Sequence, residues 1–174
     1  DIALTKLGSQ FTLKTPFGTA EIQSNLLGQH NIRNLLSAAA GAMAQDISLK
    51  IIQEVFRQIR PIPGRFESID NDQGFSVIVD YAHTDDALSK AISAAKAFTE
   101  GKLIVVFGCG GDRDTEKREP MGQAVGLGAD SAVVTNDNPR GESPEAIAEM
   151  IRPGLVTSGM ASGHLGNLKE YEIE

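Results

Sequence analysis

Residues 102–140 run KLIVVFGCGGDRDTEKREPMGQAVGLGADSAVVTNDNPR. A short apolar run, Leu103 to Phe107, ends in a glycine-rich, charged loop; apolar residues then recur at helical spacing from Lys117 to Leu127; a second short run, Ala132 to Thr135, ends in another polar turn. Runs of four or five apolar residues bounded by turn signals are the length of buried strands, whereas the intervening stretch has the length and period of a helix. The same alternation extends outward. Ser76 to Asp80 reads as a strand and Asp86 to Phe98 as a helix upstream; Pro144 to Ile151 reads as a helix downstream. Ser143 is placed to cap that last helix, Pro144 suits its first position, and Glu145 sits near the positive end of its dipole. Strand and helix in strict alternation require right-handed crossovers, so the spacing predicts an α/β fold: a Rossmann-like, mostly parallel sheet with helices on both faces.

The residues before this region are organised differently. Weak alternation and turn signals at Gly8-Ser9 and Phe17-Gly18 predict short antiparallel strands over Ile2 to Leu7, Gln10 to Lys14 and Thr19 to Ser24. Ile32, Leu35, Leu36, Ala39, Ala42 and Met43 mark a helix over Asn31 to Gln45, and a second runs from Ser48 to Ile59. Pro61-Ile62-Pro63-Gly64 stops it and is the strongest boundary signal in the chain, dividing a small α+β part, residues 1–60, from the α/β part, residues 61–174. Beyond Pro153-Gly154, residues 155–174 lack a clear period and read as loop or tail.

Composition narrows the function classes. With 41% hydrophobic and 22% charged residues the chain has the makeup of a globular protein. A formal charge of -7 without a dense Lys/Arg run argues against nucleic acid or an anionic membrane as the main partner and leaves small-molecule substrates. The single Cys109 cannot form an internal disulfide, no secretory signal is visible, and the apolar runs are too short to span a bilayer, so a cytoplasmic setting is expected.

In parallel α/β sheets ligands gather beyond the carboxyl ends of the strands, which directs attention to three loops. In Asp80-Tyr81-Ala82-His83-Thr84-Asp85-Asp86 an acid ends a strand. Asp80 is suited to hydrogen-bond a ribose and His83 to meet a nucleotide; equally, Asp85 or Asp86 could cap the next helix with His83 a plain loop residue. The loop Gly108-Cys109-Gly110-Gly111-Asp112-Arg113-Asp114 tempts a dinucleotide reading, but the third glycine of G-x-G-x-x-G would fall at Arg113, and Asp112 and Asp114 would repel a pyrophosphate. In Asn136-Asp137-Asn138-Pro139-Arg140, Pro139 is expected to hold Asn138 extended and fix it relative to Arg140. A stiff Asn and Arg suit a zwitterion, Arg140 gripping a carboxylate; a plain turn is the alternative. Upstream, Asn31 and Asn34 share a helix face, with Asn31 either a ligand contact or a cap, and Arg65 on the boundary is either a phosphate contact or a surface residue. His30, His83 and His164 with one cysteine have no metal-ligand spacing, and no G-x-S-x-G elbow occurs. Thiol catalysis at Cys109 lacks a partnered histidine, which favours an inert thiol.

Taken in order, five segments resemble the Mur ligases. Gly28 to Asn34 is similar to the family's G-x-x-N-x-x-N, Pro63 to Glu67 to P-G-R-x-E, and Asp80 to Leu88 to D-Y-A-H-T-P-D-A-L. Gly108 to Gly122 resembles G-C-G-G-D-R-D-x-x-K-R-P-x-M-G, and Asp137 to Arg140 is similar to the D-N-P-R that marks the diaminopimelate-adding branch. Five motifs in register are far more specific than one.

The resemblance implies a three-domain ligase using ATP and Mg2+, in which ATP phosphorylates the D-glutamate carboxylate of UDP-N-acetylmuramoyl-L-alanyl-D-glutamate and the amine of meso-diaminopimelate attacks the acyl phosphate. Residues 1–60 then correspond to the end of the central ATP-binding domain and the rest to the amino-acid-binding domain. By matching position, Asn31, Arg65, Asp80 and His83 are expected at the nucleotide, and Arg118, Asp137, Asn138 and Arg140 at the diaminopimelate; no catalytic residue and no metal ligand is assigned.

The departures are specific. Asp85 stands where the family has proline, and Arg118-Glu119-Pro120 moves the proline of K-R-P one place on. No G-x-x-G-K-[ST] phosphate loop, carbamylated-lysine region or uridine-binding domain occurs, nor a late G-K-G-H-E, for which Gly163-His164-Leu165-Gly166 is no substitute. The chain alone is therefore expected to be inactive, with the missing amino-terminal and central domains as its partners. The rival readings are a stand-alone Rossmann-like module binding a nucleotide or amino acid, and a related ligase for another amino acid; Arg140 would repel a lysine ammonium.

Overall fold

The computed structural model describes residues 1–5, 7–69 and 72–163 in full and residues 170–173 by their backbone. The Gly163–Gly166 segment lies outside the described residues from His164 onward. Two compact units are present, Asp1–Tyr81 and Ala82–Glu174.

In the first unit β1 (Ile2–Thr5), β2 (Gly8–Thr15) and β3 (Gly18–Ser24) form an antiparallel meander with β2 in the centre. One face of β2 and β3 carries Phe11, Leu13 and Ile22, which bury against Ile32, Leu35 and Ala39 of α1 (Gln29–Met43) and Ile52 and Phe56 of α2 (Leu49–Gln58). This is the period-two face of a sheet meeting the 3.6-period faces of two helices. Ser48 caps α2 by accepting the Ile51 N–H. The helix α1 has no side-chain cap: Gly28, at φ 83°, takes that position, so Asn31 is not the cap.

The strand read over Ser76 to Asp80 is found as β5 (Val77–Val79), but outside the parallel sheet. It pairs antiparallel with β4 (Glu67–Ile69), Ser68 opposite Ile78. A neighbour so close in sequence closes at small entropic cost, and a strand of three residues has few groups to offer a second partner. Pro61–Gly64, the boundary expected from the sequence, falls inside the first compact unit, as does the hairpin that follows it: the Phe66 N–H donates to Asp80 Oδ2 (2.8 Å) and the Phe66 ring meets that of His30.

The second unit is built on a parallel sheet ordered β6 (Ile104–Phe107), β7 (Ser131–Val134), β9 (Glu170–Ile173), β8 (Ala161–Ser162). All its pairings are parallel, Phe107 opposite Val134 and Val134 opposite Ile173. Every residue of β7 is buried, as expected of a central strand with an apolar run rather than an alternation. Its core joins Phe107, Ala132 and Val134 to Leu88 and Ile92 of α3 (Asp85–Lys96), Met121 and Val125 of α4 (Arg118–Gly128) and Ile147, Ile151 and Leu155 of α5 (Pro144–Thr157). The caps settle two open points. Thr84, rather than Asp85 or Asp86, caps α3, its Oγ1 accepting the Ala87 N–H at 3.2 Å. Ser143 caps α5, followed by Pro144 and Glu145 in the first turn.

Where residues after Pro153 read as tail, α5 continues through Pro153 to Thr157 and is followed by β8. The reason lies in packing. A Cβ on Gly154 would fall 2.0 Å from the Glu119 carbonyl oxygen, and one on Gly122 would fall 2.4 Å from that of Ile151. The two backbones touch through these glycines, and the contact outweighs the hydrogen bond that Pro153 cannot make. None of the described helices is long and apolar enough to cross a membrane.

Candidate functional site

Two groups of predicted residues are found, one in each unit. In the first, α1 begins beside the Pro63–Glu67 turn and the end of β5. Asn31 is half-buried; its Nδ2 donates to the Leu27 carbonyl (2.9 Å) and its Oδ1 accepts from Asn34 Nδ2 (3.1 Å), so the amide is held in one orientation. The turn is tight, with Gly64 at φ 69° and Phe66 at φ 49°, and Glu67 Oε2 accepts the Gly64 N–H at 2.7 Å. Phe66, only 2% exposed, meets His30 edge to face at 5.2 Å between ring centres. Burial lowers the His30 pKa, partly opposed by the negative charge of Asp80. Arg65 is exposed and lies over the Tyr81 ring, its guanidinium carbon 4.3 Å from the ring centre. An edge-bonding amide, a cation lying over an aromatic ring and a carboxylate at a strand end thus converge. His30, Phe66 and Tyr81 were given no ligand role from the sequence; all three lie within the motifs, but only the fold brings them together.

His83 belongs to the second unit, exposed on the loop ahead of α3, where its carbonyl accepts Lys117 Nζ at 2.8 Å. The family proline replaced by Asp85 would occupy the first position of α3. Proline and aspartate both suit that position, so the exchange leaves the helix start intact. The shifted proline is equally mild. In α4, Pro120 precedes the first α-helical bond, Met121 N–H to the Lys117 carbonyl at 2.9 Å, and no hydrogen bond is lost.

The second group is formed by the loops after β6 and β7. Backbone bonds stitch them: Thr135 N–H to Phe107 O (2.9 Å) and Gly111 N–H to Asn138 O (3.1 Å). The glycines of the first loop now have a reason. A Cβ on Gly108 would fall 2.2 Å from the Thr135 oxygen and one on Gly111 would fall 1.8 Å from that of Pro139. They admit the neighbouring loop, which is a different use from cradling a pyrophosphate. Side chains add further stitches. Arg140 Nη1 donates to Gly111 O (2.6 Å), and Asp112 Oδ2 accepts the Gly141 N–H (3.0 Å).

Asn138 is not extended as its place before proline predicts; it has φ 45°, and Asp112 (52°) and Arg140 (51°) are also left-handed. Asparagine tolerates this region better than most residues, and the bond from Gly111 to its carbonyl holds it there. Asp137, Asn138 and Arg140 are exposed at this edge of the sheet. Arg118 is not: it is 0% exposed, with Nη1 on Glu142 Oε2 and Nη2 on Oε1, both at 2.8 Å. Glu142 Oε1 also accepts the Asp112 N–H at 2.6 Å. The Arg118 guanidinium beside it, aided by that N–H, holds the Glu142 carboxyl down at about 2. Cys109 is buried with its thiol pushed up by desolvation. Among the described residues, no group of three or more His, Cys, Asp or Glu is placed to hold a metal ion, so no step through magnesium is derived from them.

Comparison with known proteins gives these loops a context. The family model "Mur ligase, glutamate ligase domain" matches residues 64–171. The UDP-N-acetylmuramoyl-L-alanyl-D-glutamate--2,6-diaminopimelate ligase of Geobacillus thermodenitrificans is 46% identical over 154 residues, 88% of this chain and 32% of that protein. The enzyme of the same name from Oceanobacillus iheyensis is 46% identical over 149 residues, 86% of this chain and 30% of that protein. A solved structure of a ligase of that name superposes with a TM-score of 0.65 at 34% identity, covering 100% of this chain and 34% of the other. The chain spans about a third of the length of these relatives. With more than half of its residues matched by the family model, and its ordered motifs lying on the loops described above, the chain belongs to the Mur ligase family.

Proposed function

We propose that this chain is the amino-acid-binding portion, with the end of the central ATP-binding domain, of an ATP-dependent ligase that joins meso-diaminopimelate to UDP-N-acetylmuramoyl-L-alanyl-D-glutamate in peptidoglycan synthesis. The observation that carries the reading is the loop after β7. Asn138 and Arg140 are exposed on a backbone that is left-handed at both residues and tied to the glycine loop, at the carboxyl end of a buried parallel strand. That is where α/β sheets bind ligands. A guanidinium offers a carboxylate two parallel donors, and an amide beside it serves either an ammonium or a carboxylate. Diaminopimelate carries these groups at both ends.

In this reading Asp137, Asn138 and Arg140 meet the amino acid, whereas Asn31, Arg65, Asp80 and His83 meet ATP: the amide at the base edge, the arginine at the phosphates, the aspartate at the ribose and the histidine at the nucleotide's edge. The domain seam is proposed at Pro61–Gly64, supported by the family model's start at residue 64. A cytoplasmic setting goes with these soluble, small-molecule substrates.

In the full-length ligase, Arg140→Ala is expected to raise the KM for diaminopimelate at least about tenfold, equivalent to roughly 1.4 kcal/mol, with the KM for ATP little changed. Steady-state kinetics varying each substrate in turn measures this. An unchanged diaminopimelate KM would remove the assignment.

A further inference from the structure

Arg118, expected from its motif to touch the amino acid, is in another situation. Its guanidinium is fully buried, and both terminal nitrogens are committed to the two oxygens of Glu142. Nη1 also lies 3.1 Å from Met150 Sδ and Nη2 3.5 Å from the Gly110 carbonyl, while Nε has no partner among the described residues. The end-on grip leaves the Nε–H and Nη2–H edge over, but with the whole side chain 0% exposed that edge is buried too and is not presented to a ligand.

What Glu142 does with the pair is more informative. Its Oε1 accepts the Asp112 N–H, the Asp112 carboxylate accepts the Gly141 N–H, and the residue before Gly141 is Arg140. The Asn138 carbonyl and the Arg140 guanidinium meet the same short loop at Gly111. Three residues in this circuit, Asp112, Asn138 and Arg140, hold left-handed backbones that non-glycine residues adopt only when their surroundings over-determine them. We infer that the pair formed by buried Arg118 and part-exposed Glu142 is a positioning clasp that holds the Asp112 and Arg140 loops in register, so that Arg118 sets the affinity for the amino acid without touching it. The inference rests on the amino-acid pocket proposed above.

The test uses the full-length ligase and the variants Arg118→Lys, Glu142→Gln and the double Arg118→Lys/Glu142→Gln. Lysine keeps the charge and the buried stem but cannot reproduce the two-pronged grip. Each single variant is expected to raise the diaminopimelate KM by about fivefold or more, and the double variant by no more than the worse single, because groups acting through one contact do not add. The KM for ATP is expected to stay within about twofold; a general loss of folding would lower the apparent kcat and leave both KM values unchanged, so the selective rise for diaminopimelate is the mark of positioning. Multiplicative single effects would instead mean that Arg118 reaches the substrate independently of Glu142, and would overturn the clasp. So would a lowered melting temperature with an unchanged diaminopimelate KM. Arg140→Ala in the same series separates the two levels. If it leaves the diaminopimelate KM unchanged, the pocket and the clasp fall together; if it behaves as expected while the other two multiply, only the clasp falls.

Discussion

At the scale of single residues, the clearest consequence is a pH dependence. The Glu142 carboxyl is held at about 2 instead of 4.5, first by the Arg118 guanidinium and then by the Asp112 N–H. A carboxylate whose folded pKa is depressed stabilises the fold fully above its ordinary value, and this contribution is lost as the pH falls through the folded value. The stability difference between wild type and Glu142→Gln is therefore expected to be constant above about pH 5 and to shrink as the pH falls from 4.5 toward 2. Urea unfolding midpoints across that range measure it. A difference independent of pH would show that the carboxylate charge is not what stabilises the pair. The sequence displays Arg118 and Glu142 plainly, but twenty-four positions separate them and nothing local marks them as partners. This is why Arg118, which the family resemblance places at the ligand, is found buried against Glu142.

At the scale of elements, glycine has two opposite meanings, and substitution tells them apart. Gly154 in α5 meets the α4 backbone, where a Cβ would fall 2.0 Å from a carbonyl oxygen and 2.5 Å from an amide nitrogen. Neither atom can swing aside, so Gly154→Ala is expected to destabilise by about 1–3 kcal/mol or more. Gly41 lies inside α1 with open space where its Cβ would stand. There Gly41→Ala is expected to stabilise by about 0.4–1 kcal/mol, through a less disordered unfolded chain and better helix propensity. Chemical denaturation of both variants checks the pair of signs, and equal effects would contradict the close approach of α4 and α5. Helix periods were readable in this chain, as the apolar faces of α1 and α5 show, and so was the Ser143 cap of α5. The end of α5 was not, because Pro153-Gly154 is a stop signal by local rules. Contact with another helix overrides it.

At the scale of the whole molecule, the chain carries no G-x-x-G-K-[ST] loop to cradle the transferring phosphates. Residues 1–174 alone are therefore expected to give no ATP-dependent joining of diaminopimelate to the UDP-linked dipeptide. A sensitive turnover assay on the purified chain checks this, and product formed in proportion to chain concentration would contradict it.

The sequence by itself determined the alternation of strand and helix, the helix starts, the antiparallel meander and the family motifs. Those signals are local: they depend on periodicity, on backbone-specific residues and on short fixed spacings. Only the tertiary structure decided that β5 leaves the parallel sheet for a hairpin, that the glycines after β6 admit a neighbouring loop, and that Arg118 is spent on Glu142. Each of these is a competition for a partner or for space between segments distant in the chain or between alternative strand mates. Its outcome depends on which groups the completed core brings within hydrogen-bond reach.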